Sequence, residues 1–266
     1  MGNPKHLLAE WPRLRRRLAR ARRRALFSDF DGTLIWIRPR LRPARLAPPL
    51  QRLLTAAVAR GDVVGIVSGR RLKSLREAVG LEGIWYAAVH GCYLRSPHGR
   101  QFVLLDRKAL RRVAAATKHL LRRLQGLPGI SIEVKRAVVT VHYRRAAPRV
   151  REQARTEVQE CLRPGLSLMR SKKAWELVPE MSGKVVDKWA AIQFILKRER
   201  VARADYAAVV HLGDDTTDEH VFRALDGITV AIGKRRRTAA RYYLNHAGEV
   251  RKFLDLWSRL PNDGEP

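Results

Sequence analysis

The chain has 266 residues with 54 Lys and Arg against 25 Asp and Glu, a formal charge of +29, and its 45% hydrophobic content excludes a disordered polycation. No apolar run approaches the ~18 residues of a membrane span and the N-terminus lacks the apolar centre of a signal peptide, so a cytoplasmic protein is expected. Cys92 and Cys161 stand without partner motifs, which excludes a disulfide framework or a cysteine zinc site.

In chain order, residues 1–24 form a basic N-terminal segment. Within it, Arg13 to Arg24 carry Leu14, Leu18 and Ala21 at helical spacing, the pattern of a basic helix whose outer face attracts anions without specifying a partner. Three apolar runs then end abruptly in polar residues: Ala25 to Phe27 before Ser28 and Asp29, Val63 to Val67 before Ser68, and Ala207 to Leu212 before Gly213, Asp214 and Asp215. Each reads as a buried parallel strand. Pro48 to Gly61 is an amphipathic helix between the first two, completing a β-α-β unit. Ligands of open parallel sheets gather outside the carboxyl ends of the strands, so these polar residues should meet in one crevice.

Ile84 to Val89 is a further strand leading to His90 and Gly91, and a second unit begins near Tyr93. Asp106 to Leu124 and Val150 to Leu162 are helical, while Ile130 to Val134, Val138 to Tyr143 and Ala174 to Val178 are strands, the order of a small α+β insert. Ser182 and Gly183 are expected to open a helix with Val185, Trp189, Ile192 and Ile195 on one face. The expected organisation is a catalytic core of residues 25–92 and 182–260 with a cap of residues 93–181.

The chemistry concentrates at the strand ends. Asp29 and Asp31, in the sequence DFDGT, offer one carboxylate to attack phosphorus and a second to protonate the leaving alcohol and later activate water. The stretch GDDTTDE, from Gly213 to Glu219, packs four acids together, which suits a hard cation with oxygen ligands; an acidic helix start explains Asp218 and Glu219 but not Asp214 and Asp215. Ser68, Gly69 and Arg70 end the second strand where a hydroxyl and backbone N–H groups can hold phosphoryl oxygens. Lys184 stands at the expected helix start, where its ammonium can meet a phosphate.

These four elements, in this order, resemble the haloacid dehalogenase (HAD) superfamily of phosphatases. The resemblance implies an α/β fold: a HAD-like Rossmannoid core with a parallel sheet and a smaller α+β cap inserted between the second and third motifs. It implies Asp29 as nucleophile, Asp31 as general acid and base, Ser68, Gly69 and Lys184 on the phosphoryl group, and Mg²⁺ held by Asp29, the Asp31 carbonyl and Asp214. Asp215 and Asp218 would support the metal. Lys188, one turn on, is the alternative phosphate lysine; the apolar face starting at Val185 favours Lys184.

A cap between Ser68 and Lys184 resembles sugar phosphatases of the trehalose-6-phosphate phosphatase family. Glu133-Val134-Lys135 with His142-Tyr143-Arg144 resembles that family's E-x-K and HYR elements, and Lys173 to Pro179 resembles its K-x-x-E-x-R-P segment, with Val178 in place of the usual Arg. The likeness spans residues 25 to 257 and implies a small sugar phosphate of the trehalose 6-phosphate type as substrate, contacted by His90, Glu133, Lys135, Lys173 and Glu176, with no obligate nucleic-acid partner. A sucrose-phosphate or mannosyl-phosphoglycerate phosphatase with the same cap is the alternative. From another class, a catalytically idle relative that binds nucleic acid through its basic surface is opposed by the intact acids at 29, 31, 214 and 215.

Overall fold

The computed structural model describes residues 3–36, 44–171, 173–233 and 237–261. The chain divides into two compact units, one of Met1–Phe102 with Lys188–Pro266 and one of Val103–Asp187. The first boundary falls after Phe102 rather than Cys92, because the strands after His90 stay with the first unit's sheet.

In chain order the first unit contributes β1 (Lys5–His6), α1 (Trp11–Ala19), β2 (Ala25–Ser28), α2 (Pro48–Ala59), β3 (Val63–Val67), α3 (Leu72–Val79), β4 (Trp85–Ala88), β5 (Tyr93–Arg95) and β6 (Gln101–Val103). The second contributes α4 (Arg107–Leu124), β7 (Ser131–Val134), β8 (Val139–His142), α5 (Pro148–Glu160), β9 (Leu166–Ser171), β10 (Ala174–Met181) and β11 (Lys184–Val185). The chain then returns to the first unit through α6 (Lys188–Arg198), β12 (Val209–Gly213), α7 (Glu219–Ala224), β13 (Ile228–Ile232), β14 (Tyr242–Leu244) and α8 (Ala247–Ser258).

The first unit is an α/β layer around a nine-stranded sheet of order β1-β14-β13-β12-β2-β3-β4-β5-β6. From β1 to β4 the strands are parallel, and β5 turns back antiparallel on β4. Central β2 pairs Ala25 with Val63 of β3 and Val209 of β12. Every residue of β2, β3, β12 and β13 is buried, as unbroken apolar runs require when both faces of a parallel sheet are covered. Helix starts use Pro at the first turn in α1, α2 and α5, where the missing N–H costs nothing.

The basic N-terminal segment is part of this core. Lys5 and His6 pair with Tyr242 and Tyr243, and α1 buries Trp11, Leu14 and Leu18 while its arginines 13, 15, 16, 17 and 20 stay exposed. Trp11 meets Phe253 of α8 edge to face at 5.7 Å. Arg24 is 2% exposed and donates to Asp62 at 2.9 Å, a carboxylate that also accepts from Arg60 and Trp257. Removing one partner would leave a buried charge uncompensated, which is why a basic residue can sit here at all.

The second unit is an antiparallel sheet on which α4 and α5 pack. Strand β10 carries β9 along one edge and β8, then β11, along the other. Alternation divides the sheet: Val139, Val141, Trp175 and Leu177 join Val113, Leu120, Ala154 and Val158 of the helices in one apolar cluster. Residues 182 and 183 do not open a helix. Ser182 and Gly183 have φ of 51° and 72° and form the two-residue turn of a hairpin that pairs Met181 with Lys184, the conformation that suits the right-handed twist of the strands. The helix begins at Lys188 instead. Both cysteines are buried thiols, in different units. Among the described residues no helix is long and apolar enough to cross a membrane.

Candidate active site

Asp29, Ser68, His90 and Asp214 each follow the carboxyl end of a parallel strand, respectively β2, β3, β4 and β12, and these four strands are neighbours in the sheet. The ladder fixes their backbones: Asp29 N donates to Leu212 O at 2.8 Å and Ser68 N to Ala87 O at 2.8 Å. The chain turns sharply after Asp29. Gly32 has φ of +88°, and a Cβ there would lie 2.2 Å from Asp214 Oδ2, so only glycine lets the Asp214 carboxylate close on the loop. Gly69 plays the same part for His90, whose ring would meet a Cβ at 2.6 Å. Val89 and His90 themselves have φ of 51° and 58°, a conformation that costs free energy and is held by bonds from Val89 N to Arg70 O and from His90 N to Ser68 O.

Lys188, the alternative lysine of the sequence, bonds to Asp29. Its buried ammonium donates to Asp29 Oδ1 at 2.9 Å and to Asp218 Oδ1 at 2.8 Å. Lys184 is exposed on β11 of the second unit, because the hairpin occupies the residues that periodicity assigned to a helix. Asp218 is fully engaged: Oδ1 also accepts from His211 Nε2 at 2.9 Å, and Oδ2 accepts the Asp215 backbone N–H at 3.1 Å. Asp215 caps the short 3₁₀ turn Thr216–Asp218 through the Thr216 N–H. A Cβ on Gly213 would lie 2.2 Å from the Asp218 carboxyl, so this glycine, too, admits an acid.

The electrostatics follow from burial and charge count. Burial pushes the Asp29 carboxyl well above the usual carboxylate range, and the charges of Asp218 and Asp214 push it further against the opposing pull of Lys188. Burial likewise opposes the Lys188 ammonium, but Asp218 and Asp29 outweigh it and hold the lysine above its ordinary range. Asp218 is held below its ordinary range because Lys188 and His211 outweigh its burial. Burial pushes His211 down, so its neutral ring donates from Nε2. Asp29, Asp214 and Asp218 bring ligand oxygens within 4.8 Å of one another. Three carboxylates thus face one ammonium, and a divalent cation would balance them. An all-oxygen donor set of this kind fits Mg²⁺.

Asp31 bridges to Ile35 across the turn that follows Asp29. Both of its oxygens accept from Arg70, Oδ2 from Nε at 2.6 Å and Oδ1 from Nη2 at 2.7 Å. The sequence places Arg70 in the Ser-Gly-Arg element without giving it a partner, since nothing local links positions 31 and 70.

In the second unit, the pairing of Glu133 with Thr140 and of Thr140 with Glu176 puts both acids in one row on the sheet face opposite the apolar cluster. His142, two residues from Thr140, shares that face, and its Nε2 lies 3.4 Å from Glu133 Oε2; Lys135 Nζ is also 3.4 Å from that oxygen. His142 first, and Lys135 after it, hold the Glu133 carboxyl below its usual range although burial opposes them. Glu176 is buried, and Lys173 is exposed in the turn before β10 with φ of 65°. Val178 is fully buried.

A family model described as trehalose-phosphatase matches residues 27–244. The chain belongs to that family. Among curated relatives, the trehalose-phosphate phosphatase of Mycobacterium tuberculosis (strain H37Rv) is 34% identical over 247 residues, covering 90% of this chain and 62% of the relative, so the chain spans less than two thirds of that protein's length. Among solved structures, the Aspergillus fumigatus trehalose-6-phosphate phosphatase aligns with a TM-score of 0.64 at 28% identity, covering 97% of this chain and 99% of that one. The C-terminal domain of the Candida albicans trehalose-6-phosphate phosphatase aligns with a TM-score of 0.77 at 23% identity, covering 97% and 100%, which adds the fold. The α/β HAD-like core with an α+β unit inserted is therefore the family's architecture.

Proposed function

We propose that this member of the trehalose-phosphatase family hydrolyses a disaccharide phosphate, trehalose 6-phosphate, through an aspartyl-phosphate on Asp29. The observation that carries the reading is the Asp29 carboxylate at the end of the central strand, bonded to Lys188 and within metal-ligand reach of Asp214. An Asp29 oxygen attacks phosphorus, the bond from phosphorus to the sugar oxygen breaks, and the proton on Asp31 passes to that oxygen. In the second half, Asp31 takes a proton from water, the water oxygen bonds to phosphorus, and the bond to Asp29 breaks to release phosphate. Lys188, the Ser68 hydroxyl and the Gly69 N–H hold the phosphoryl oxygens. Asp29, Asp214 and the Asp31 main-chain carbonyl would hold Mg²⁺, which supplies positive charge against the repulsion between carboxylate and phosphate. Asp218 and Asp215 support that set, the first through Lys188 and the second by capping the turn.

His90 on the first unit and Glu133, Lys135, Lys173 and Glu176 on the second bind the sugar. The polar row of Glu133 and Glu176, opposite an apolar face, supports this reading, as do the names of the relatives. The protein works in the cytoplasm, and the exposed arginines of α1 attract anions without specificity. The test is phosphate release from trehalose 6-phosphate, sucrose 6-phosphate, mannosyl-phosphoglycerate and glucose 6-phosphate, with Mg²⁺ or EDTA, by wild type and Asp29→Asn. Turnover confined to trehalose 6-phosphate, dependent on Mg²⁺ and lost in Asp29→Asn, is expected. Turnover of another ester would correct the substrate, and no release from any would refute the reading.

A further inference from the structure

Arg70 is held at its root, along its plane and at its tip. Its backbone N–H donates to Ser68 Oγ at 3.3 Å and its carbonyl accepts from Val89 N at 2.9 Å, which pins the residue to the end of β4. Its guanidinium lies over the Phe30 ring, 4.9 Å from the centroid, and Phe30 is fully buried. Its fork then takes both oxygens of Asp31 at 2.6 and 2.7 Å. The side chains of Arg70 and Asp31 are 24% and 34% exposed, and a pair so open to solvent adds little to stability. What bidentate geometry adds is direction.

We propose that Arg70 is the positioning residue of Asp31 for leaving-group protonation, an inference that rests on the phosphatase reading above. Asp31 bridges to Ile35 at the mouth of a turn, which fixes its backbone, and the fork fixes the carboxyl. A carboxylate has about four lone-pair positions, of which the fork occupies two. The remaining two, on the outer edges, are thereby given fixed directions. The side chain of Arg70 bonds to Asp31 and not to Asp29, so it acts through Asp31. Proton delivery by a well-aimed acid matters for an alkoxide leaving group and hardly at all for a phenolate that departs unaided.

The test compares kcat/KM, which reports steps through phosphoryl transfer to Asp29, for trehalose 6-phosphate and p-nitrophenyl phosphate in wild type, Arg70→Ala and Arg70→Lys, all with Mg²⁺. Arg70→Ala should lose ~10–100-fold on the sugar ester and less than ~3-fold on the aryl ester, the ratio expected when aim rather than binding of the phosphate is lost. Arg70→Lys should remain deficient on the sugar ester, because an ammonium has no planar fork, whereas millimolar guanidinium added to Arg70→Ala should recover part of the loss. Equal losses on both esters, or no loss on the sugar ester, would overturn the inference while the phosphatase reading stood. Wild type inactive on both esters would overturn the two together. Because guanidinium rescue requires a folded protein, its success separates loss of positioning from loss of fold.

Discussion

Lys188 Nζ lies 2.9 Å from Asp29 Oδ1, at the start of α6, and it is the cation that the buried Asp29 and Asp218 carboxylates share. Breaking a buried ion pair by removing one partner costs about 3–5 kcal/mol. Lys188→Met, which leaves Asp29 and Asp218 facing each other, should lose that order of stability in urea unfolding together with all phosphatase activity. Lys184→Ala, on the exposed strand β11, should stay within ~0.5 kcal/mol of wild type and keep its turnover. An inactive, well-folded Lys184→Ala would reverse the assignment.

Mg²⁺ should stabilise the protein by binding only the folded state. At a hundred times its dissociation constant the gain is about 2.7 kcal/mol, several degrees in the melting temperature. Asp214→Asn removes a ligand oxygen and should abolish the upshift seen by calorimetry. Asp215→Ala, which removes a cap on a short turn, should lower the melting point slightly, the loss of a cap costing about 1 kcal/mol, and leave the upshift largely in place.

Two of the three site glycines give a steric prediction. Gly32→Ala puts a Cβ 2.2 Å from Asp214 Oδ2 at a φ of +88°, and Gly69→Ala puts one 2.6 Å from the His90 ring. Gly32→Ala should destabilise by more than the ~1 kcal/mol of an unfavourable φ alone and should weaken the Mg²⁺ upshift, because Asp214 must move. Gly69→Ala must be met by rotation of the His90 ring and should raise KM for the sugar ester more than it lowers kcat. An unchanged KM in a folded Gly69→Ala would remove His90 from the substrate contacts.

Acid unfolding should report on the anchoring of the N-terminal strand. Burial would raise the Glu249 carboxyl, but the Asn245 backbone N–H, His6 and the Asn245 side chain outweigh it and hold the group at about 2. A folded-state value below the unfolded one contributes stability that is fully present above the unfolded value, ~4.3, and is lost as pH falls through about 2. Glu249→Gln should therefore lower stability at pH 7 by an amount that shrinks between pH 5 and pH 2, on the order of 1–3 kcal/mol for hydrogen bonds to a charged group. A pH-independent difference would mean that the carboxylate's charge is not what ties β1 to α8.

Much of this was legible in the chain because the signals are local. Unbroken apolar runs ending in Asp29, Ser68 and Asp214 mark buried strands whose polar ends share one edge, and the structure places those strands side by side. The helices of 107–124 and 148–160 and the paired strands of the second unit follow equally from spacing. The start of α6 is not legible there, because Val185, Trp189 and Ile192 fit a helical period while the turn at Ser182 and Gly183 is set by pairing of Lys184 with Met181 across the hairpin.

The sequence alone determined the pair of aspartates on a strand end, the acidic cluster and the inserted unit, since each is written in consecutive residues. Tertiary structure decided which lysine meets Asp29, that Arg70 grips Asp31 across 39 positions, that His211 and Lys188 share Asp218, and that Lys5 and His6 of the basic N-terminal segment join the sheet. Those contacts join residues far apart in the chain, and their partners are chosen by strand order and burial, which no local pattern encodes.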